Sequence, residues 1–153
     1  MDGDERGPPS AATERWQELL DDAAAVADEY RENGWETLVL STGDVTPLAD
    51  DPFGLDVVAP TEEFEALEAL VEGASFDTSH VFRDEDDGLR FLIIAIEASD
   101  HGAAVVVPAF LSLDEEASLA ERAQTEGTMY THVRPPDSGG RVTFTHDEPE
   151  LFF

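Results

Sequence analysis

The chain has 153 residues, with 36 Asp and Glu against 8 cations, for a formal net charge of −28; every cation is arginine. A hydrophobic content of 41% is enough for a buried core and too high for a chain disordered throughout, and the length suits one domain. Cysteine is absent, which excludes disulfides and thiolate chemistry, and the charge excludes blanket binding to nucleic-acid phosphates or anionic membranes.

The start, Met1-Asp2-Gly3-Asp4-Glu5-Arg6-Gly7-Pro8-Pro9-Ser10, lacks the cationic and apolar regions of a secretory signal and reads as a short disordered lead over 1–10. A single domain is expected over 11–153. Trp16, Leu19, Leu20, Ala23, Val26, Ala27 and Tyr30 recur at helical spacing with acids opposite them, and Asn33-Gly34 stops that helix. Residues 35–40 read as a strand, followed by a loop broken at Gly43, Pro47, Pro52 and Gly54, then a second short strand at 55–59. Thr61 is the expected N-cap of another helix, with Glu62 and Glu63 on the positive end of its dipole. Phe64, Leu67, Leu70 and Val71 form its stripe, and Gly73 ends it.

Residues 76–83 and 89–98 flank the turn Asp84-Glu85-Asp86-Asp87-Gly88, a hairpin signal. Residues 91–96 are apolar at every position, as are nearly all of 103–111, so both read as central strands covered on two sides. No segment reaches the roughly 18 apolar residues of a membrane span. Ser112 and Glu115 have capping-box spacing before a helix with a thin stripe (Leu119, Ala120, Ala123), which ends at Gly127. Residues 128–134 and 141–146 form a last hairpin of alternating pattern. The expected fold is α+β: three helices packed on a largely antiparallel sheet. Helix, glycine stop, strand, turn and strand recur three times, with Ser79-His80-Val81 echoed by Thr131-His132-Val133, which raises repeated helix–strand–strand units against chance alternation.

Several groupings bear on chemistry. Ser41-Thr42-Gly43-Asp44 follows a strand, where α/β proteins place phosphates or metals, but lacks the P-loop lysine and second glycine. An ordinary turn is the simpler reading. In the acidic turn, setting Gly88 at position six of a calcium loop puts Arg83 at position one and Ile94 at twelve, so an EF-hand is rejected. His132 and His146 lie on adjacent hairpin arms, where they could share a face and hold an ion with Asp147 or Asp100; His80 and His101 complete the set. Asp100-His101-Gly102 is most simply a turn, and neither Ser41 nor Ser79 sits in a nucleophile elbow. No motif calls for a cofactor.

Arg83, Arg90, Arg134 and Arg141 sit on the arms of the two hairpins; converging, they would make an anion pocket, and otherwise each pairs with nearby acids. The terminal Leu151, Phe152 and Phe153 either fold back over the sheet or dock into a partner's groove.

By surface scaling, a folded chain of this mass exposes roughly 7,600 Å², or about one net charge per 270 Å². Such charges repel at ~0.01 M salt, where the Debye length is about 30 Å, and are screened at ~1 M, where it is about 3 Å. A cytoplasmic protein of a cell with molar internal salt is therefore expected; mimicry of nucleic acid would need the acids on one face, and they are spread along the chain. Through Gly34-Trp35-Glu36-Thr37-Leu38, Gly43-Asp44-Val45-Thr46-Pro47-Leu48 and Pro149-Glu150-Leu151-Phe152-Phe153, the chain resembles small uncharacterised proteins of halophilic archaea over most of its length after residue 10. The resemblance agrees with the salt argument and implies no catalytic residue.

Functionally, a non-enzymatic interaction or regulatory module is favoured, with a homodimer or a protein partner expected. The alternative is a small-molecule or anion binder, or an enzyme, using the arginines, the histidines and the Ser41–Asp44 loop.

Overall fold

A computed structural model describes residues 10–42, 45–137 and 139–153. The expected lead at 1–10 lies outside these residues apart from Ser10, the first residue of the first helix.

In chain order the elements are α1 (Ser10–Glu32), β1 (Glu36–Val39), β2 (Thr46–Leu48), β3 (Gly54–Val58), α2 (Thr61–Val71), β4 (Thr78–Asp86), β5 (Leu89–Ala98), β6 (Ala103–Ser112), α3 (Leu113–Glu126), β7 (Met129–Arg134) and β8 (Val142–His146), followed by a 3-10 turn (Pro149–Leu151). This is the expected α+β class with three helices. The expected single sheet is instead two four-stranded ones, of order β1-β6-β5-β4 and β2-β3-β7-β8. Each is mixed, because β1 runs parallel to β6 and β3 parallel to β7.

The unbroken apolar runs of β5 and β6 follow from this layering. Phe91, Ile93 and Val106 meet Leu19, Ala23 and Ala27 of α1 on one face. Leu92, Ile94, Ile96, Val105 and Val107 point the other way, into a cluster shared with Leu55, Val57, Val133 and Phe144 of the second sheet. Phe64 and Leu67 of α2 and Leu119 and Ala123 of α3 join that second cluster. A strand covered by a helix on one side and a sheet on the other has no face for polar residues. Pro108 is tolerated in β6 because β1 has ended by that row, its last partner being Val106.

Local chemistry departs from expectation at two helix starts. Pro60 and Ser112 hold the N-cap positions, and neither makes a side-chain cap hydrogen bond, so Thr61 is the first helical residue and the Ser112–Glu115 box does not form. At α3 the Leu113 amide donates to the Gly88 carbonyl at 3.0 Å, so the β4–β5 turn supplies the acceptor a cap would otherwise provide. That turn is the two-residue Asp87-Gly88, with φ of 54° and 79°. Gly54 is set by close approach: its φ is 137°, and a Cβ there would overlap the Tyr130 carbonyl of β7.

The three helix–strand–strand units differ in space. β1 and β3, the two strands of the first unit, fall in different sheets, whereas β4–β5 and β7–β8 are antiparallel hairpins, one in each sheet. The matched His80 and His132 also differ, the first exposed and the second buried.

Candidate functional site

The C-terminal hairpin register decides the fate of its histidines. Met129 pairs with His146 and His132 with Thr143. Alternation then puts His146 on the inner face with Met129 and Thr131, and His132 on the opposite face. The two histidines therefore do not converge on an ion, and among the described residues no group of three His, Asp or Glu is placed to hold a metal. His132 Nε2 donates to the Phe53 carbonyl at 2.9 Å, which leaves Nδ1 to accept the Thr143 hydroxyl, also at 2.9 Å. His101 is exposed in the β5–β6 turn, its amide donating to the Ala98 carbonyl at 3.1 Å.

His146 lies between the sheets. Its Nδ1 is 2.7 Å from Ser79 Oγ on β4 and its Nε2 is 2.8 Å from Thr131 Oγ1 on β7. Burial pushes this imidazole down to about 4, so it is neutral at ordinary pH, with one nitrogen donating and the other accepting. The serine–histidine pair has the contact of a nucleophile and base but not the setting. The third group is a threonine rather than a carboxylate, the ring is 1% exposed, and Phe152 packs on it at 4.8 Å between centroids. It works as a cross-link between sheets.

The four hairpin arginines do not converge: two have separate partners and two share one concavity. Arg90 is buried and grips Glu116 of α3, with Nε 3.1 Å from Oε1 and Nη2 3.1 Å from Oε2, while Nη1 reaches Glu85 at 2.9 Å. Arg83 donates to the Glu150 carbonyl at 3.1 Å. Arg134 and Arg141 line one open concavity of about 650 Å³ with Pro136, Asp137 and Gly140. Arg134 is also held in a two-pronged pair with Asp56, at 3.0 and 3.1 Å. Arg141 is exposed and has no ion pair among the described residues.

In the Ser41–Asp44 loop, Gly43 and Asp44 lie outside the described residues. The Ser41 amide donates to Glu63 Oε1 at 2.6 Å, and the Thr42 hydroxyl donates to the Pro108 carbonyl. At the C-terminus, Phe152 is 1% exposed in the central cluster, with Leu151 and Phe153 packed against its edge. The three residues are thus part of the core as the chain stands.

A further feature is a groove beside β4. Thr78, His80, Phe82 and Asp84 pair with Glu97, Ala95, Ile93 and Phe91, so they share the face of the sheet that α1 covers. The buried stripe of α1 lies over β5 and β6, and β4 is the sheet edge. What remains is a recess of about 280 Å³ between helix and edge strand, lined by Val26, Glu29, Tyr30, Asn33, His80, Phe82 and Glu97. Phe82 is 53% exposed. Glu97 Oε2 accepts the Tyr30 hydroxyl at 2.6 Å and lies 3.3 Å from His80 Nε2. Burial and the adjoining carboxylate together raise the Tyr30 phenol far above its ordinary range, so it stays a donor. The signal for this site in the sequence is slight: Glu97 is the one acid inside the apolar run of β5, and Phe82 is the one aromatic among the exposed residues of β4.

Residues 5–153 match the model of a family of unknown function (DUF7529). No curated protein and no solved structure matches the chain.

Proposed function

We propose that this chain, which belongs to that family of unknown function, is a salt-adapted cytoplasmic interaction module whose contact surface is the groove between α1 and β4. The observation that carries the reading is Phe82, a large aromatic left 53% exposed beside a recess on a surface otherwise crowded with acids. The charge of −28 supports a salt-rich interior as its setting. The two histidines of the C-terminal hairpin do not favour catalysis: His146 is sealed, and His132 is occupied at both nitrogens. A second reading, an anion site, draws on Arg134 and Arg141 lining one concavity.

One experiment separates the two. The tagged chain and its Phe82→Asp and Arg141→Gln variants are used to capture partners from extracts of the source cells in molar KCl, with mass spectrometry as readout. The expected result is a defined partner recovered by the parent and by Arg141→Gln, and lost at least tenfold with Phe82→Asp. Recovery indifferent to Phe82 overturns the groove reading, and loss with Arg141→Gln alone moves the function to the hairpin concavity.

A further inference from the structure

Resting on the groove reading, we infer that the recess between α1 and β4 receives the guanidinium of an arginine side chain presented by a basic segment of the partner polypeptide. The argument starts from the hydrogen-bond inventory. Among the described residues, Glu97 accepts one side-chain hydrogen bond, from the Tyr30 hydroxyl to Oε2, and His80 Nε2 lies 3.3 Å from the same oxygen. Oε1 has no hydrogen-bond partner among the described residues, although the Glu97 side chain is only 16% exposed. Asn33 donates one of its two side-chain amide hydrogens to the Glu29 carbonyl at 2.9 Å, and its side-chain oxygen has no hydrogen-bond partner among the described residues. The Glu29 carboxylate lines the same recess. No arginine is within ion-pair distance of Glu29 or Glu97 among the described residues.

The recess is therefore rich in acceptors and negative charge, and flanked by apolar Val26 and Phe82. Its complement is a donor-rich cation on an apolar stem. Guanidinium fits better than ammonium because it is flat, weakly hydrated, carries five donors and stacks on aromatic faces. The distinction matters in brine. A site recognising charge alone would be filled by potassium, whereas Phe82 and the spread of acceptors reward shape and direction. At about 280 Å³ the recess has room for one such side chain. The source is a polypeptide because the recess adjoins the edge strand β4, whose outer side faces no strand among the described residues, and the exposed acids Asp86 and Asp87 lie at the end of that edge, beyond Asp84 and Glu85, which pair with Arg15 and Arg90.

The test is a titration of the isotope-labelled full chain in molar KCl, followed by amide NMR. The probes are N-acetyl-arginine amide, the neutral isostere N-acetyl-citrulline amide, a capped Ala-Arg-Ala peptide and agmatine. Saturable shifts centred on Val26, Tyr30, His80 and Phe82 are expected with the arginine compounds. Citrulline should bind at least tenfold more weakly, and the peptide at least as tightly as agmatine. Glu97→Gln keeps an acceptor for Tyr30 and should weaken arginine binding at least tenfold; Glu29→Gln, at an exposed position, should weaken it severalfold without touching the fold. Equal response to citrulline, shifts centred elsewhere, or an unchanged affinity in both variants overturns the assignment, and tighter binding of agmatine overturns the polypeptide source. Loss of the captured partner with Phe82→Asp, with no arginine binding, leaves the groove reading standing and removes the guanidinium; arginine binding with capture indifferent to Phe82 does the reverse.

Discussion

At His146 a single side chain carries hydrogen bonds from β4 of one sheet to β7 of the other, and burial keeps its imidazole neutral. In the unfolded chain an imidazole titrates near 6.5, and in the folded chain this one titrates near 4. Between those values the unfolded state binds a proton that the folded state refuses, so stability is full above pH 6.5 and falls as pH drops toward 4. The difference corresponds to about 3 kcal/mol. His146→Gln is expected to lower stability at pH 7 and to flatten the pH dependence over that window. Urea unfolding at fixed molar KCl, parent minus variant, cancels the carboxylates common to both. Parallel curves from pH 7 to 4 would show that His146 is not the group responsible. Arg90 and Glu116 are a contrasting case: both are charged and buried, and each satisfies the other. Such a pair is weak evidence for net stability, but a partner left alone costs ~3–5 kcal/mol, which fixes α3 against β5 in one register.

At the scale of elements, the contrast between what periodicity reveals and what it hides is physical. The runs at 91–96 and 103–111 announce strands covered on both sides, because no polar residue interrupts them. They do not announce whether the cover is a helix or a sheet, since Leu92 and Phe91 look alike as neighbours in sequence although one faces the second sheet and the other faces α1. The split into two sheets therefore escaped local reading, as did the groove, which exists only because the helix stripe stops short of β4. The Arg134–Arg141 neighbourhood was legible because a hairpin brings its arms together whatever else the fold does; Arg90 was not, because its partner lies on a helix 26 positions away. The C-terminus left two readings open, and the structure seats Phe152 against His146 and the central cluster. Phe152→Ala should cost ~3–5 kcal/mol, as other buried aromatic truncations do. Deleting residues 151–153 should leave little cooperative unfolding by circular dichroism in molar KCl. A truncated chain that melts like the parent would return these residues to the role of a free peptide.

For the whole molecule, the ion pairs cannot balance the charge. The described arginines pair largely at the surface, where each contact contributes ~0–1 kcal/mol, and the excess of acids remains after every cation has been used. Stability is then expected to depend on screening. Lowering ionic strength from ~1 M to ~0.01 M lengthens the Debye distance from about 3 to about 30 Å, so carboxylates independent of one another in brine begin to repel across the whole surface. The melting temperature should climb steeply with KCl, and NaCl at equal strength should act alike if screening is the cause. Asp21 and Asp22 are exposed on the outer side of α1, and Glu14 is exposed near its start, none of them in an ion pair among the described residues. Replacing the three as Glu14→Gln, Asp21→Asn and Asp22→Asn should shift the salt requirement downward while leaving stability in 3 M KCl within about 0.5 kcal/mol per site of the parent. Differential scanning calorimetry across a KCl series on both proteins reads this directly. A parent that melts at one temperature from dilute buffer to saturation would mean that its acids do not strain the fold, and the case for a salt-rich cellular setting would go with them.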